Sequence, residues 1–148
     1  MKQFLKDLLL TIVKEDLPTI RRKNNMTKYE IQKEFHFSAS HQLDHLPDYH
    51  QCARMHGHNY IVVVVLGADE LNSDGFVKDY GDLKPFKDYI DNKLDHRHLN
   101  DVLPFKTTAE NMAKHFYYLC RGKFEWDNVV EVRVSETPKT WARYRVAE

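Results

Sequence analysis

The sequence predicts an α+β domain: a four-stranded antiparallel sheet with two helices on one face, and one further short return strand. Two observations predict it. Residues at the front and back of the chain alternate with period two, and between them lie two stretches whose apolar residues recur at three and four. The order strand, strand, strand, helix, helix, strand, strand segregates helices from strands, as α+β domains do.

The first strand is expected from Tyr29 to His41, where Ile31, Phe35, Phe37, Ala39 and His41 share one parity. A polar loop, Gln42 to Gln51, leads to a second strand from His56 to Gly67. Its apolar run on both faces, Ile61 to Leu66, argues for a central position in the sheet. Asn72-Ser73-Asp74-Gly75 supplies turn chemistry and returns Phe76 to Asp79 as a short antiparallel strand. From Asp82, a candidate N-cap, Leu83, Phe86, Ile90 and Leu94 recur at helical spacing, with Pro85 tolerated in the first turn. Thr107 and Glu110 form a capping box for a second helix, whose stripe is Met112, Phe116 and Leu119; Cys120 belongs to its packing and Gly122 to its stop. Two strands close the chain. Asn128 to Glu136 carries Val130, Val132, Val134 and Glu136 on one parity, and Pro138-Lys139-Thr140 turns it back into Trp141 to Val146.

A chain of 148 residues fits one domain able to bury about 68 to 70% of its unfolded surface. Lys plus Arg and Asp plus Glu each number 22, so no global field favours nucleic acid or an anionic membrane. Residues 1–28 hold seven basic and three acidic side chains and read as an extension: Leu5, Leu8, Leu9 and Ile12 have helical spacing, and Arg21-Arg22-Lys23 begins a solvated linker. The domain proper is expected over 29–148. Two cysteines make no disulfide framework, and a reducing cytoplasm suits them. Lys6 and Asp7 interrupt any secretory signal, and no stretch is apolar enough to span a bilayer.

Against this bland background several polar residues break the pattern. His56 and His58 leave one face of a strand, and His41 ends another strand on the inward parity; packing asks for none of them. Three imidazoles suit Zn²⁺, which binds such nitrogens at about 2.0–2.1 Å and, with three protein ligands, keeps a fourth position for water or substrate. Cys52 is either a fourth ligand or a free thiol beside the metal, where a nearby cation would favour its thiolate. Glu136 falls on apolar parity, where a carboxylate needs a partner such as an arginine or the paired N–H donors of a pterin or guanine. A strand-end glutamate reaching solvent is the plainer alternative. Asp95 adjoining His96 would fix that ring's tautomer and set it up as an acid or base near neutrality, although a helix cap with a solvated ring, or His98, competes.

Taken together, six blocks resemble the 6-pyruvoyl- and 6-carboxy-tetrahydropterin synthase family. They are Phe37-Ser38-Ala39-Ser40-His41, Cys52 through Tyr60, Asp74 through Asp79 with Leu83-Lys84, Leu94-Asp95-His96 with Leu99-Asn100, Thr108-Ala109-Glu110-Asn111, and Ser135-Glu136-Thr137. The resemblance covers about residues 30–146. It implies the T-fold, in which trimers close their sheets into a barrel and two trimers stack as a homohexamer with active sites between subunits. It implies zinc on His41, His56 and His58, Cys52 as proton acceptor, Asp95 and His96 as a relay, and Glu136 as the pterin anchor, with further pterin contacts at Thr107 and Thr108. The spacing of Cys52 four residues before His56 is similar to the 6-carboxy branch of queuosine biosynthesis, which converts 7,8-dihydroneopterin triphosphate to 6-carboxytetrahydropterin, acetaldehyde and triphosphate. The 6-pyruvoyl reaction is the nearest rival. A non-catalytic zinc-stabilised module with Cys52 as fourth ligand is the rival from another class. Lys106-Thr107-Thr108 lacks the proline usual before the threonine, and residues 1–28 lie outside the pattern.

Overall fold

The structure, a computed structural model, describes residues 27–146; the helix expected within residues 2–14 lies outside them. Its elements are β1 (Tyr29–His41), β2 (His56–Ala68), α1 (Lys84–Lys93), a single turn α2 (Leu99–Val102), α3 (Ala109–Tyr118), β3 (Val129–Thr137) and β4 (Thr140–Tyr144). The strands form one antiparallel sheet in the order β1-β2-β3-β4.

β1 and β2 pair without a break from Tyr29 opposite Ala68 to His41 opposite His56. That register puts Phe35, Phe37 and Ala39 beside Tyr60, Val62, Val64 and Leu66 on the face that α1 and α3 cover with Phe86, Ile90, Met112, Ala113 and Phe116. The Phe86 ring meets Phe35 edge-on at 4.9 Å between centroids and Phe116 at 5.5 Å. Cys120 is fully buried here, and burial pushes its thiol pKa up, so it is a packing residue.

Five local expectations need correction. Phe76 to Asp79 is not a strand: Asn72 Oδ1 accepts from the backbone N–H of Asp74 and of Phe76, and Gly75 takes φ 82°, so the loop spends its backbone donors on itself. The cap before α1 is Asp79 rather than Asp82. Its carboxylate accepts from Gly81 N–H and opens a 3₁₀ turn, Tyr80–Leu83, from which α1 continues. Thr108, not Thr107, caps α3, accepting from Asn111 N–H at 3.3 Å, and the helix passes into a wide turn over Leu119–Lys123 without a left-handed Gly122. In β3, Val65 faces Glu131 while Leu66 faces Val129, so Val130 is an extra residue in a bulge. Val129 therefore enters the core in its place, and the parity of Val132 and Val134 resumes after it.

The other sheet face carries Glu131, only 3% exposed, which accepts from Arg133 at 2.5 Å and pairs with Arg145 at 2.8 Å. The contact with Arg145, just past β4, fastens the end of that short edge strand to its neighbour.

Candidate metal centre and pterin site

His41 is the last residue of β1 and His56, its register partner, the first of β2. Strand alternation then puts His58 and Tyr60 on the same face as His56. The four rings form a cluster, with centroids of His41 and His56 4.5 Å apart, His41 and His58 5.2 Å, and His58 and Tyr60 5.4 Å.

Their hydrogen bonds fix the chemistry. His41 Nδ1 lies 2.9 Å from the Thr107 carbonyl and 3.1 Å from its hydroxyl; His56 Nδ1 lies 2.8 Å from the Arg54 carbonyl. A carbonyl only accepts, so each Nδ1 carries the proton and each Nε2 of the neutral ring is a lone pair. Those two lone pairs face each other at 3.0 Å. The Nε2 of His58 is buried and has no hydrogen-bond partner among the described residues. One ligand atom from each of the three rings falls within 4.8 Å of the others. Unpaired lone pairs converging in a partly buried place repel unless a cation lies between them. Tetrahedral zinc sets its nitrogens about 3.3 Å apart, so the donor set fits that ion, with backbone carbonyls orienting two of the three ligands.

Electrostatics agree with a site built for neutral imidazoles. Burial lowers the His41 pKa to about 4, opposed by the Thr107 bond and helped by the other histidines; burial lowers His58 as well. Glu136 Oε1 stands 3.9 Å from His41 Nε2. Burial raises its pKa, Glu110 adds to the rise, and His56 opposes it. The Tyr60 hydroxyl, buried and without a partner among the described residues, is likewise raised, by burial and then by Glu136.

The remaining residues singled out in the sequence divide in two. Cys52 sits half-buried in the 3₁₀ turn Gln51–Ala53 before β2, held by the His50 ring accepting from its N–H at 3.1 Å, and it is not among the ligand groups that converge. Thr107 is fully buried against His41, and Thr108 is occupied as a helix cap. Asp95 and His96 lie instead beside the edge of β1 away from β2, where their segment bonds to Ser38 and Ser40. Ser38 N–H donates to Asp95 Oδ1 at 2.9 Å, His96 N–H donates to the Ser38 carbonyl at 2.7 Å, and His96 Nδ1 donates to Asp95 Oδ2 at 2.8 Å. The Ser38 bond, then that of His96, lowers the Asp95 pKa. His96 is held at φ 56°, a left-handed conformation that disfavours any residue with a Cβ. Backbone carbonyls of Thr107 and Arg54 were invisible to motif reasoning because a carbonyl leaves no residue-type signal. Tyr60 had one, its shared parity with His56 and His58.

Fold and site define a class: an α+β domain whose four-stranded sheet presents, at one end, three metal-type imidazoles beside a half-buried carboxylate. A profile described as 6-pyruvoyl tetrahydropterin synthase matches residues 30–147. The 6-carboxy-5,6,7,8-tetrahydropterin synthase of Synechocystis sp. is 37% identical over 123 residues, covering 77% of this chain and 91% of that one. The protein of the same name from Bacillus subtilis is 30% identical over 128 residues, with 79% and 85% covered. Among solved structures, Caenorhabditis elegans 6-pyruvoyl tetrahydropterin synthase superposes with a TM-score of 0.69 at 26% identity, covering 80% of this chain and 96% of that one. The chain belongs to the 6-pyruvoyl tetrahydropterin synthase family, a family of pterin enzymes of the lyase type, and has its T-fold. No helix among the described residues is long and apolar enough to cross a membrane.

Proposed function

We propose that this chain is a zinc-dependent 6-carboxy-5,6,7,8-tetrahydropterin synthase, converting 7,8-dihydroneopterin triphosphate to 6-carboxytetrahydropterin, acetaldehyde and triphosphate in queuosine biosynthesis. The observation that carries it is the convergence of the His41, His56 and His58 lone pairs with Glu136 alongside, in a chain 37% identical to a protein of that name. When bound to the three imidazoles, zinc supplies a Lewis acid that polarises a substrate oxygen and so acidifies the adjacent C–H.

The residues divide the remaining work. Glu136, in its ionised form, accepts the two parallel N–H donors of the pterin edge, and those bonds offset the burial that raises its pKa. Cys52, in its turn beside the start of β2, takes the substrate proton as thiolate. His96 carries its Nδ1 proton toward Asp95, so its exposed Nε2 is the atom that accepts or returns a proton. Thr107 orients His41, and Thr108 adds a contact at the α3 N-terminus. Three strand spacings, about 14 Å, separate the backbone of His96 from that of Glu136, so the two act together where the β1 edge of one subunit meets the β4 edge of the next, in a cytoplasmic homohexamer. Residues 29–148 form the synthase domain and 1–28 an extension.

Incubation with 7,8-dihydroneopterin triphosphate followed by mass analysis tests this. A 6-carboxy product with acetaldehyde supports the proposal. A 6-pyruvoyl product, the reaction named for the C. elegans neighbour, would assign the sister activity, and neither product from zinc-loaded protein would reject the enzyme reading in favour of a binding module. Cys52→Ala should keep zinc and pterin while losing turnover.

A further inference from the structure

Two buried side-chain polar atoms have no hydrogen-bond partner among the described residues, His58 Nε2 and the Tyr60 hydroxyl. A cation on the three imidazoles satisfies the first, because it takes a lone pair. It does not satisfy the second, a neutral O–H donor on a residue that is fully buried. Leaving such a donor unpaired destabilises the fold, and a phenylalanine would fill the same space without the oxygen. Packing therefore does not ask for the hydroxyl.

Across the sheet stands an acceptor in the same condition. β2 and β3 pair with Val62 opposite Val134 and Ile61 opposite Ser135, and one residue further that register sets Tyr60 against Glu136 on the core-facing side. Directly opposed residues have Cβ atoms about 4.5–5.5 Å apart. Glu136 Oε1 lies 3.9 Å from His41 Nε2, beyond hydrogen-bond reach, and the carboxylate accepts no hydrogen bond among the described residues. The Tyr60 ring is fixed, stacked on Phe37 at 4.8 Å between centroids. The Glu136 side chain is 27% exposed and one residue from the end of β3, so it is the member free to turn.

We infer that Tyr60 is the positioning residue of Glu136: when the carboxylate takes the paired N–H donors of a pterin, the Tyr60 hydroxyl donates to it from the core side. The inference rests on the reading of Glu136 as the pterin anchor. An ionised carboxylate in a half-buried place needs several donors. The ligand edge supplies two, and the hydroxyl supplies one that is already desolvated and held on a rigid ring.

Tyr60→Phe in the full zinc-loaded chain tests it, with neopterin as the probe and fluorescence titration as the measurement. Affinity should fall about tenfold, as for the loss of a hydrogen bond to a charged group. Zinc content should be unchanged and the melting temperature should not fall, because the deleted hydroxyl had no partner. Equal affinity, or a loss accompanied by a lower melting temperature, would overturn the inference. A cycle with Glu136→Gln separates positioning from direct contact: in that background Tyr60→Phe should weaken neopterin by less than about threefold, and a full tenfold loss there would overturn it. Wild-type protein that binds no neopterin would reject the anchor role of Glu136 and the inference with it, a result distinct from wild type and Tyr60→Phe binding alike.

Discussion

His41 Nε2 and His56 Nε2 face each other at 3.0 Å while both rings give their Nδ1 protons to backbone carbonyls. A protein does not hold two lone pairs together in a partly buried place without a use for them, and a cation is the simplest. Removing one donor should therefore abolish binding: His56→Ala is expected to retain less than about a tenth of wild-type zinc by elemental analysis after gel filtration.

Orientation matters beside identity. Thr107→Val keeps the carbonyl that accepts from His41 but deletes the hydroxyl at 3.1 Å, and loss of such an outer contact is expected to weaken zinc binding by about tenfold. Competition against a chelator of known affinity measures it.

Acid should destabilise the metal-free protein for a related reason. Burial lowers His41 to about 4 and also lowers His115, whose Nε2 accepts from the Tyr89 hydroxyl at 3.0 Å; the unfolded chain takes up these protons near 6.5. The unfolded state thus binds more protons between those values, so stability is full above about pH 6.5 and falls as pH drops toward 4. Urea midpoints in chelator at pH 7.5 and 5 should show the decline, and His115→Gln should reduce it.

Backbone strain at His96 predicts a split between stability and activity. At φ 56° a glycine is relieved of its neighbours' crowding and an alanine is not. His96→Gly should exceed His96→Ala in stability by about 1 kcal/mol, while both variants lose turnover. Thermal melts and product assays on the pair decide it.

The helical layer anchors the sheet through Phe86, fully buried between Phe35 and Phe116. Phe86→Ala should cost about 3–5 kcal/mol in denaturant unfolding, with zinc binding retained at low temperature.

Most of this architecture was legible because alternation is a strong signal where one face is buried. The parity of Phe35, Phe37, Ala39 and His41 predicts the buried face of β1, and His56-Gly57-His58 the cluster. Errors fell where side chains rewrote the backbone's own preferences. Asn72 closed a loop on itself where a strand was expected, Asp79 took the cap from Asp82, and the Val130 bulge moved one valine out of the core. Thr107 was drawn away from helix capping by His41, a partner 66 residues distant that no local window contains.

The placement of Asp95 and His96 on the outer margin of β1, across the sheet from Glu136, has a genetic corollary. Chains made inactive by His96→Ala and chains made inactive by Glu136→Gln would each still offer the half that the other lacks. In the proposed homohexamer, the two dead proteins co-expressed in one cell should restore a fraction of working centres that neither has by itself, so complementation on co-expression tests that arrangement without any structure of the complex.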